Sequence, residues 1–346
     1  MNISTFTDFL EQSQCQYRIY DLGRKVAKIC NSDFKKISHN EQAYPYPIQQ
    51  QAFIAITFWQ VGKQQSHFIW FLKMPIDEQG FLKITAQTSF IKMVVEAMGK
   101  NLTAEIDKVM QESLASNPFI FKPNAEKLAI FNANINADFI RPASSFYPAA
   151  LSYFSGKQHW NDWQALGMQG IADIAARLNS DNNQQSIINA LSHLPQQPLQ
   201  TLALCLEHQT ITTELATAIA EQAKIELHAD RQDNAILLLR ALASSPAVDV
   251  TKGLLEKQFS SVLIYNEHWY IAIAGRLWSL LEDETLLNRF FESLANHHAA
   301  LFSPLFSDLV AIPALRDKVL KQLRLSARSP ALSEAIGLLF SGTKQS

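Results

Sequence analysis

The N-terminal part of this sequence places acidic, basic and aromatic residues in irregular segments beside its predicted strands, where their side chains could do chemistry. These candidate binding residues are Asp21, Arg24, Tyr44, Tyr46, Asp77 and Glu78. A strand end can hold a carboxylate in place as a general acid or base, and a tyrosine ring offers a flat contact surface at low entropic cost. We therefore expect these residues to form a binding site, with turn formation and packing against a sheet as the structural alternative.

A second group of candidates forms a basic face near the C-terminus. Lys318, Lys321 and Arg324 lie opposite an apolar stripe of one predicted helix, and Arg328 extends the same face. This face could contact an acidic protein or a nucleic acid, but basic residues near the end of a helix also interact favourably with its dipole and need no partner. The net charge of −2 and the lack of aromatic residues between the basic ones argue against nucleic acid.

Cofactor and metal sites leave recognisable sequence patterns, and we find none of them here. The chain has 11 glycines in 346 residues and lacks the glycine clusters that bring backbone close to a phosphate or a dinucleotide. Its histidines show neither an HExxH pattern nor a spacing with paired cysteines that would bind zinc. We predict no catalytic residue, no cofactor and no metal, which favours a non-enzyme without deciding the question.

The three cysteines, Cys15, Cys30 and Cys205, are too few and too widely spaced for a disulfide framework. We interpret Cys15 and Cys30 as small buried hydrophobic residues. The first residues lack the positive start and apolar run of a secretory signal, and no apolar stretch reaches the ~18 residues of a membrane span. These features predict a cytoplasmic protein without a membrane segment.

The candidate residues of the N-terminal part need a sheet to position them, and the sequence predicts one. Segments 16–19 and 26–29 indicate a hairpin, and the apolar runs 52–59 and 68–74 indicate two strands that are buried on both faces. Apolar periodicity and capping residues predict helices over 5–13, 85–98, 103–114 and 124–133. We expect residues 1–145 to form an α+β domain, with a small, mainly antiparallel sheet covered by helices.

From residue 146 to residue 346, apolar residues recur almost throughout with the period of an α-helix. One stripe runs from Trp160 to Leu178, and a nearly all-apolar helix is predicted from Glu267 to Leu281. A weak self-similarity at a spacing of about fifty residues suggests a repeat. We expect an all-α domain, either an irregular HEAT-like or armadillo-like stack or a helical bundle.

Several motifs of the N-terminal part resemble those of a known family. They are CQYRIYDLGR at 15–24, YPYP at 44–47, WFLKMPIDE at 70–78 and VVEAMG at 94–99. On these segments the chain resembles an uncharacterised bacterial family, of the gammaproteobacterial type and of similar length, that is known only as a domain of unknown function. The resemblance implies a free-standing bacterial protein, and it transfers no activity, cofactor or site residue.

Three hypotheses about function follow from these patterns. The leading one is a non-enzymatic protein–protein interaction or scaffold protein, because stacked helices present an extended surface without a cofactor. The first alternative is an enzyme or small-ligand binder with its site at the edge of the N-terminal sheet. The second alternative is an RNA-associated factor that uses the basic face. The sequence leaves the protein partner and the oligomeric state open.

Overall fold

A computed structural model describes residues 4–64, 66–98, 117–259 and 266–342. The chain divides into two compact units by its internal contacts. The N-terminal unit comprises Met1–Lys127 with Ala311–Ala314, and the helical unit comprises Leu128–Val310 with Leu315–Ser346. The expected domain boundary at residue 145 stays a prediction, because a division by contacts does not show which regions fold on their own.

The N-terminal unit is built on one antiparallel sheet of four strands, which confirms the predicted α+β class. The strands are β1 (Cys15–Asp21), β2 (Ala27–Ile29), β3 (Gln51–Gln60) and β4 (Phe68–Pro75), in the spatial order β2-β1-β3-β4. The register aligns Ile29, Ile19, Ile56 and Trp70 in one row across the sheet. β3 is buried along almost its whole length, because it is a central strand with an apolar sequence.

Among the described residues, three helices accompany the sheet: α1 (Phe6–Gln12), α2 (Asn31–Ser38) and α3 (Ile84–Met98). Phe6, Phe34 and Phe90 supply one fully buried ring from each helix to the core. The predicted helices over 5–13 and 85–98 are confirmed, whereas α2 was not predicted. The helix expected over 103–114 lies outside the described residues.

The described part of the helical unit consists of α-helices with two 3₁₀ segments, which confirms the predicted all-α region. Helix α4 (Ala125–Asp138) crosses the boundary between the units. It is followed by α5 (Tyr147–Phe154), α6 (Met168–Ala176), α7 (Asn183–Ala190), α8 (Gln196–Leu206), α9 (Thr213–His228), α10 (Gln232–Ala241), α11 (Val248–Phe259), α12 (Glu267–Arg276), α13 (Glu284–His297), α14 (Ala299–Val310), α15 (Pro313–Gln322) and α16 (Pro330–Gly342). Among the described residues, none of the helices combines the length and the apolar character that crossing a membrane requires.

Except for α15, the helices from α5 onward pack in two rows, in which each helix contacts the next one along its row. One row consists of α6, α8, α10, α12, α14 and α16, and the other consists of α5, α7, α9, α11 and α13. Contacts between sequence neighbours, such as α9 with α10, join the two rows. This pattern of contacts is typical of stacked helix pairs.

Two predicted helices of this unit differ from the structure. The stripe from Trp160 to Leu178 does not form one helix, because α6 begins only at Met168 and Trp163–Ala165 is a 3₁₀ turn. Trp160 instead stacks on His193, with ring centres 5.4 Å apart. The helix expected from Glu267 to Leu281 ends at Arg276, and a 3₁₀ segment follows it. In both places tertiary contacts of large apolar side chains outweigh the local helical period.

Candidate functional site

The carboxylate of Asp21 is the centre of a buried cluster in the loop that follows β1. Its Oδ1 accepts hydrogen bonds from the Tyr44 hydroxyl at 2.5 Å and from the Gly23 N–H at 2.9 Å, and its Oδ2 accepts one from the Lys25 N–H at 3.0 Å. The side chains of Asp21 and Tyr44 are fully buried. The carboxylate therefore closes its own loop and fastens it to the segment that carries Tyr44.

Burial dominates the electrostatics of this cluster. It raises the pKa of Asp21 to about 6, although hydrogen bonds from Tyr44, Lys25 and Gly23 and the charge of Lys127 act in the opposite direction. Burial, together with the nearby Asp21 charge, also raises the pKa of Tyr44 well above its ordinary value. Tyr44 thus stays protonated and remains able to donate.

The other basic and aromatic groups of the cluster also bind within the unit. The Nε of Arg24 donates to the Pro47 carbonyl oxygen at 2.8 Å, and the Lys25 ammonium lies 5.0 Å from the centre of the Tyr46 ring. The Lys127 ammonium donates to two carbonyl oxygens of the same loop. The structure thus brings Asp21, Arg24 and the two tyrosines together as expected, but their contacts are those of a packed loop.

Asp77 and Glu78 lie in a separate turn after β4. The Asp77 Oδ1 accepts hydrogen bonds from the N–H groups of Gln79 and Phe81, both at 2.9 Å, and Glu78 is exposed. The turn meets the Asp21 cluster through backbone, because its Gly80 carbonyl accepts from the Tyr44 N–H at 2.8 Å. Asp77 therefore acts as a turn-forming residue, and nothing in its contacts requires a ligand.

The basic face near the C-terminus lies beside acidic residues. The Lys321 ammonium is 2.6 Å from the Glu284 carboxylate. The Lys318 ammonium donates to the Glu282 carbonyl at 2.7 Å and lies 4.0 Å from its carboxylate. These neighbours offset part of the positive charge that a phosphate backbone would need. Arg324 and Arg328 form no ion pair among the described residues.

The cysteines and histidines add no site to this list. Cys15 and Cys205 are buried, but Cys30 is exposed, so the expectation of a buried Cys30 is wrong. Cys30 precedes the first turn of α2, where the chain turns away from the short strand β2, and its thiol contacts the Ser32 hydroxyl at 3.0 Å. Within the part of the chain that is described, no group of three or more histidine, cysteine or acidic side chains could hold a metal ion.

A groove between α10 and α12, in the same row of helices, was missed by the sequence analysis. Two arginines form its charged end, and we call it the arginine groove. It is lined by Ile236 and Arg240 of α10 and by His268, Ile271, Ala272, Gly275 and Arg276 of α12. Its volume is about 200 Å³.

The two arginines of the groove are held by one buried carboxylate. Glu207, at the C-terminal end of α8, has a side chain that is only 1% exposed. Its Oε2 accepts from the Arg240 Nε at 2.9 Å, and its Oε1 accepts from the Arg276 Nε at 2.7 Å. The side chains of Arg240 and Arg276 are 23% and 31% exposed and line the groove, while Glu207 binds them from inside the unit.

The rest of the groove is apolar and open. Ile271 is 45% exposed although it lies in the middle of α12, whereas Ile236 and Ala272 are buried beside it. At Gly275, a Cβ atom would meet nothing within 4 Å, so the bare backbone of α12 faces open space. Chemically, the groove combines fixed guanidinium donors with an apolar surface, which can hold an anion and a neighbouring apolar group.

No local motif could have revealed this groove. Arg240 lies 33 positions from Glu207, and Arg276 lies 69 positions from it. The one signal in the sequence was Gly275 within an otherwise apolar stretch, because such a glycine often marks a place where another group approaches backbone.

A second concave surface lies at the C-terminal ends of α4 and α6. Its volume is about 510 Å³, and its lining consists of Ala137, Ile140, Arg141, Pro142, Ala176, Arg177, Leu178, Asn179 and Ser180. Arg177 is already engaged there, with the buried Asp173 at 2.8 Å and with the Arg141 carbonyl oxygen at 3.3 Å. The cleft is larger than the arginine groove, but its charged groups are used for internal contacts.

Comparison with protein-family models gives a match over nearly the whole chain. A family model described as a protein of unknown function (DUF3549) matches residues 1–340. The search of curated proteins and the search of solved structures returned no match.

Proposed function

The chain belongs to the DUF3549 family of proteins of unknown function, and we propose that it is a non-enzymatic interaction protein whose helical unit binds a peptide segment of a protein partner. The observation that carries the proposal is the arginine groove. It combines an apolar surface around Ile271 with the partly exposed guanidinium groups of Arg240 and Arg276. Exposed apolar side chains next to arginine are typical of protein interfaces.

The size of the groove favours a peptide over a cofactor. Cavities that bind cofactors and drug-sized molecules have volumes of about 300–1,000 Å³. The arginine groove, at about 200 Å³, has room for one or two side chains of a partner. A larger molecule would lie mostly outside it.

The packing of the helices supports the same proposal. We infer that the two rows form an irregular HEAT-like stack, because every helix from α5 to α14, except α13, contacts the next but one along the chain. In such stacks, neighbouring helices of one row leave shallow grooves that bind extended segments of partners. The arginine groove lies between two such neighbours, α10 and α12.

The alternative sites have weaker support. In the Asp21 cluster, each carboxylate oxygen accepts a hydrogen bond from within the unit, and the side chain is fully buried. On the basic face, Lys318 and Lys321 lie beside glutamates. A ligand at the cluster would have to displace internal hydrogen bonds, and RNA at the basic face would meet negative charge.

The test is a comparison of partner capture by three forms of the full chain. Gly275→Leu fills the arginine groove without a backbone clash, since a Cβ at this position has open space. Gly253→Leu in α11 is the matched control, because it also meets nothing within 4 Å and lies on another helix. We expect crosslinking in native cells to recover one protein with the wild type and with Gly253→Leu but not with Gly275→Leu. Recovery of the same proteins by all three forms would refute the proposal.

A small-ligand site in the cleft at the ends of α4 and α6 is the second candidate function. The observation that favours it is the volume of about 510 Å³, which lies within the range of ligand sites. Asn179 is exposed at the cleft, so Asn179→Trp would fill it. A metabolite that raises the melting temperature of the wild type but not of Asn179→Trp would support this candidate. Equal shifts in both forms would exclude the cleft.

We also propose that the protein resides in a bacterial cytoplasm. The scattered cysteines support a reducing compartment, and the sequence motifs of the N-terminal unit support a bacterial source. Localisation of a tagged full-length chain in a bacterial host would test this.

A further inference from the structure

The guanidinium groups of the arginine groove keep donors for a ligand after they have bound Glu207. Arg240 uses its Nε and one Nη2 hydrogen on Glu207, and Arg276 uses its Nε on Glu207 and its Nη1 on the Gly275 carbonyl at 3.0 Å. Among the described residues, these two side chains form no other hydrogen bond or ion pair. The remaining N–H groups of each fork are therefore available to donate to a planar anion.

Glu207 prepares these donors for binding. Because it is buried and contacts both Nε atoms, the two side chains are held near each other before any ligand arrives. A long side chain that is ordered in advance loses less conformational entropy when it binds. Without the carboxylate between them, two adjacent guanidinium groups would repel each other.

The charge of the arrangement identifies the anion. The His208 Nε2 lies 3.5 Å from the Glu207 Oε1, and His268 lines the groove. With both imidazoles counted as neutral, two arginines and one glutamate leave a single positive charge. One carboxylate neutralises this charge, whereas a phosphate monoester, which carries about −1.5 to −2 charges, would exceed it and would lie close to the Glu207 carboxylate. The balance of charge thus favours a carboxylate.

The apolar part of the groove identifies what accompanies the carboxylate. Ile271 is 45% exposed and faces the same small volume as the arginines. A single apolar side chain next to the acid can cover it, and the burial of that side chain would add to the affinity. Gly275 leaves room for the backbone of the bound segment to approach α12.

From these observations we propose that the arginine groove recognises a short acidic peptide, in which an Asp or Glu carboxylate binds Arg240 and Arg276 and an adjacent apolar side chain packs on Ile271. This inference names the partner chemistry and rests on the proposed function. The carboxylate and the apolar group must lie close together to reach both halves of so small a groove, as neighbouring side chains of a peptide do.

The experiment uses random heptapeptides displayed on phage and selected on the immobilised full chain. With the wild type and with Gly253→Leu, we expect enrichment of peptides that place Asp or Glu beside Leu, Ile, Val or Phe. With Gly275→Leu we expect the enrichment to disappear. If no peptide is enriched, or if acid-free peptides are enriched equally, the inference is wrong.

An enriched peptide, labelled with fluorescein, then gives affinities. Exchange of its acid for the corresponding amide should weaken binding by about tenfold, as loss of a charge-assisted hydrogen-bonded pair predicts. Arg240→Lys with Arg276→Lys keeps the charges beside Glu207 but removes the planar forks, so it should weaken binding similarly while the chain stays folded by circular dichroism. Tighter binding after exchange of the acid for phosphoserine would assign the groove to phosphopeptides. It would overturn the proposal that the groove recognises a carboxylate.

The two levels of proposal fail in different ways. If a native partner is lost with Gly275→Leu but the acid in the peptide proves irrelevant, the interaction function stands and the carboxylate inference falls. If capture of the native partner does not depend on the groove while acidic peptides still bind there, the carboxylate inference stands and the proposed interaction function of the groove falls.

Discussion

The hydroxyl of Tyr44 lies 2.5 Å from Oδ1 of Asp21, and both side chains are fully buried in the N-terminal unit. The same hydroxyl lies 3.3 Å from the Phe53 carbonyl oxygen. Tyr44 can therefore donate to Asp21 when the carboxylate is ionised. When Asp21 carries a proton, Tyr44 can accept from it and donate to Phe53 instead, so the cluster stays hydrogen-bonded in both protonation states.

Substitution of Tyr44 by Phe should destabilise the protein more at pH 8 than at pH 5. At pH 8 Asp21 is ionised, and loss of a hydrogen bond to a buried charge costs about 1.5–3 kcal/mol. At pH 5 the carboxyl is mostly protonated, and the loss of a neutral hydrogen bond costs about 1 kcal/mol. Urea denaturation at both pH values measures the two free energies of unfolding. An equal loss at both would contradict the arrangement.

The pKa of Asp21 also predicts how stability depends on pH. Between about pH 4 and pH 6 the folded protein retains the Asp21 proton, whereas the unfolded chain has already lost it, since the ordinary value is 3.8 and the folded value is about 6. The free energy of unfolding should therefore fall as pH rises through this window, by up to about 3 kcal/mol from this residue.

The control for this pH dependence is Asp21→Asn, which cannot titrate. The difference in unfolding free energy between the wild type and Asp21→Asn should shrink as the pH rises from 4 to 6, because only the wild type loses stability from ionisation. Parallel pH profiles of the two forms would show that the pKa of Asp21 is close to its ordinary value in the folded protein.

The sequence predicted the sheet well because its signals are local. The strands β3 and β4 are dense apolar runs, and the turn at Asp77 has residues suited to a turn, so each could be read from its own segment. Helix α2 was missed because only Phe34 and Ile37 mark its buried face, too short a stripe for periodicity to detect.

The arginine groove could not be predicted in the same way, because its parts come from three helices. Glu207 ends α8, Arg240 lies in the last turn of α10, and Arg276 ends α12. Each alone has the pattern of a charged residue at a helix end, which normally faces solvent. Only the packing of the row buries the glutamate and joins the three charges.

A strained exposed isoleucine gives a further prediction. Ile140 follows α4 with a φ of 54° and is 94% exposed, and the Arg141 N–H donates to the Asn136 carbonyl at 2.8 Å across this helix end. A β-branched residue in the left-handed region costs about 1 kcal/mol or more, whereas Asn tolerates it. Ile140→Asn should raise the free energy of unfolding by about 1 kcal/mol.

The matched control for Ile140→Asn is Ile225→Asn, since Ile225 is also exposed but lies within α9. It should lower stability slightly, because Asn has a lower helix propensity than Ile. Denaturation by urea compares both variants with the wild type. A gain of stability in both variants would mean that the loss of an exposed apolar side chain causes the effect, and a loss in both would refute the strain at Ile140.

Substitution of Glu207 by Gln tests whether the buried carboxylate holds the two arginines. The amide oxygen can accept from one guanidinium only, and the amide N–H₂ group would face the other, so a charge-assisted hydrogen bond is lost and the positive charges are no longer offset. Because both arginines are partly exposed and can turn toward water, the expected loss is about 2 kcal/mol in the free energy of unfolding, less than for a fully buried pair.

The positioning role of Glu207 has a readout that stability alone does not provide. In the wild type, the Nε–H groups of Arg240 and Arg276 donate at 2.9 and 2.7 Å to a carboxylate that is closed to solvent. These Nε–H protons should exchange slowly with water, and their NMR chemical shifts should lie outside the range of solvent-exposed arginines. In Glu207→Gln at least one of these signals should broaden or disappear, whereas Glu226→Gln, which alters a separate buried glutamate bound by Arg231, should leave both unchanged. Retention of both signals in Glu207→Gln would mean that packing of α10 on α12, and not the carboxylate, orders the arginines.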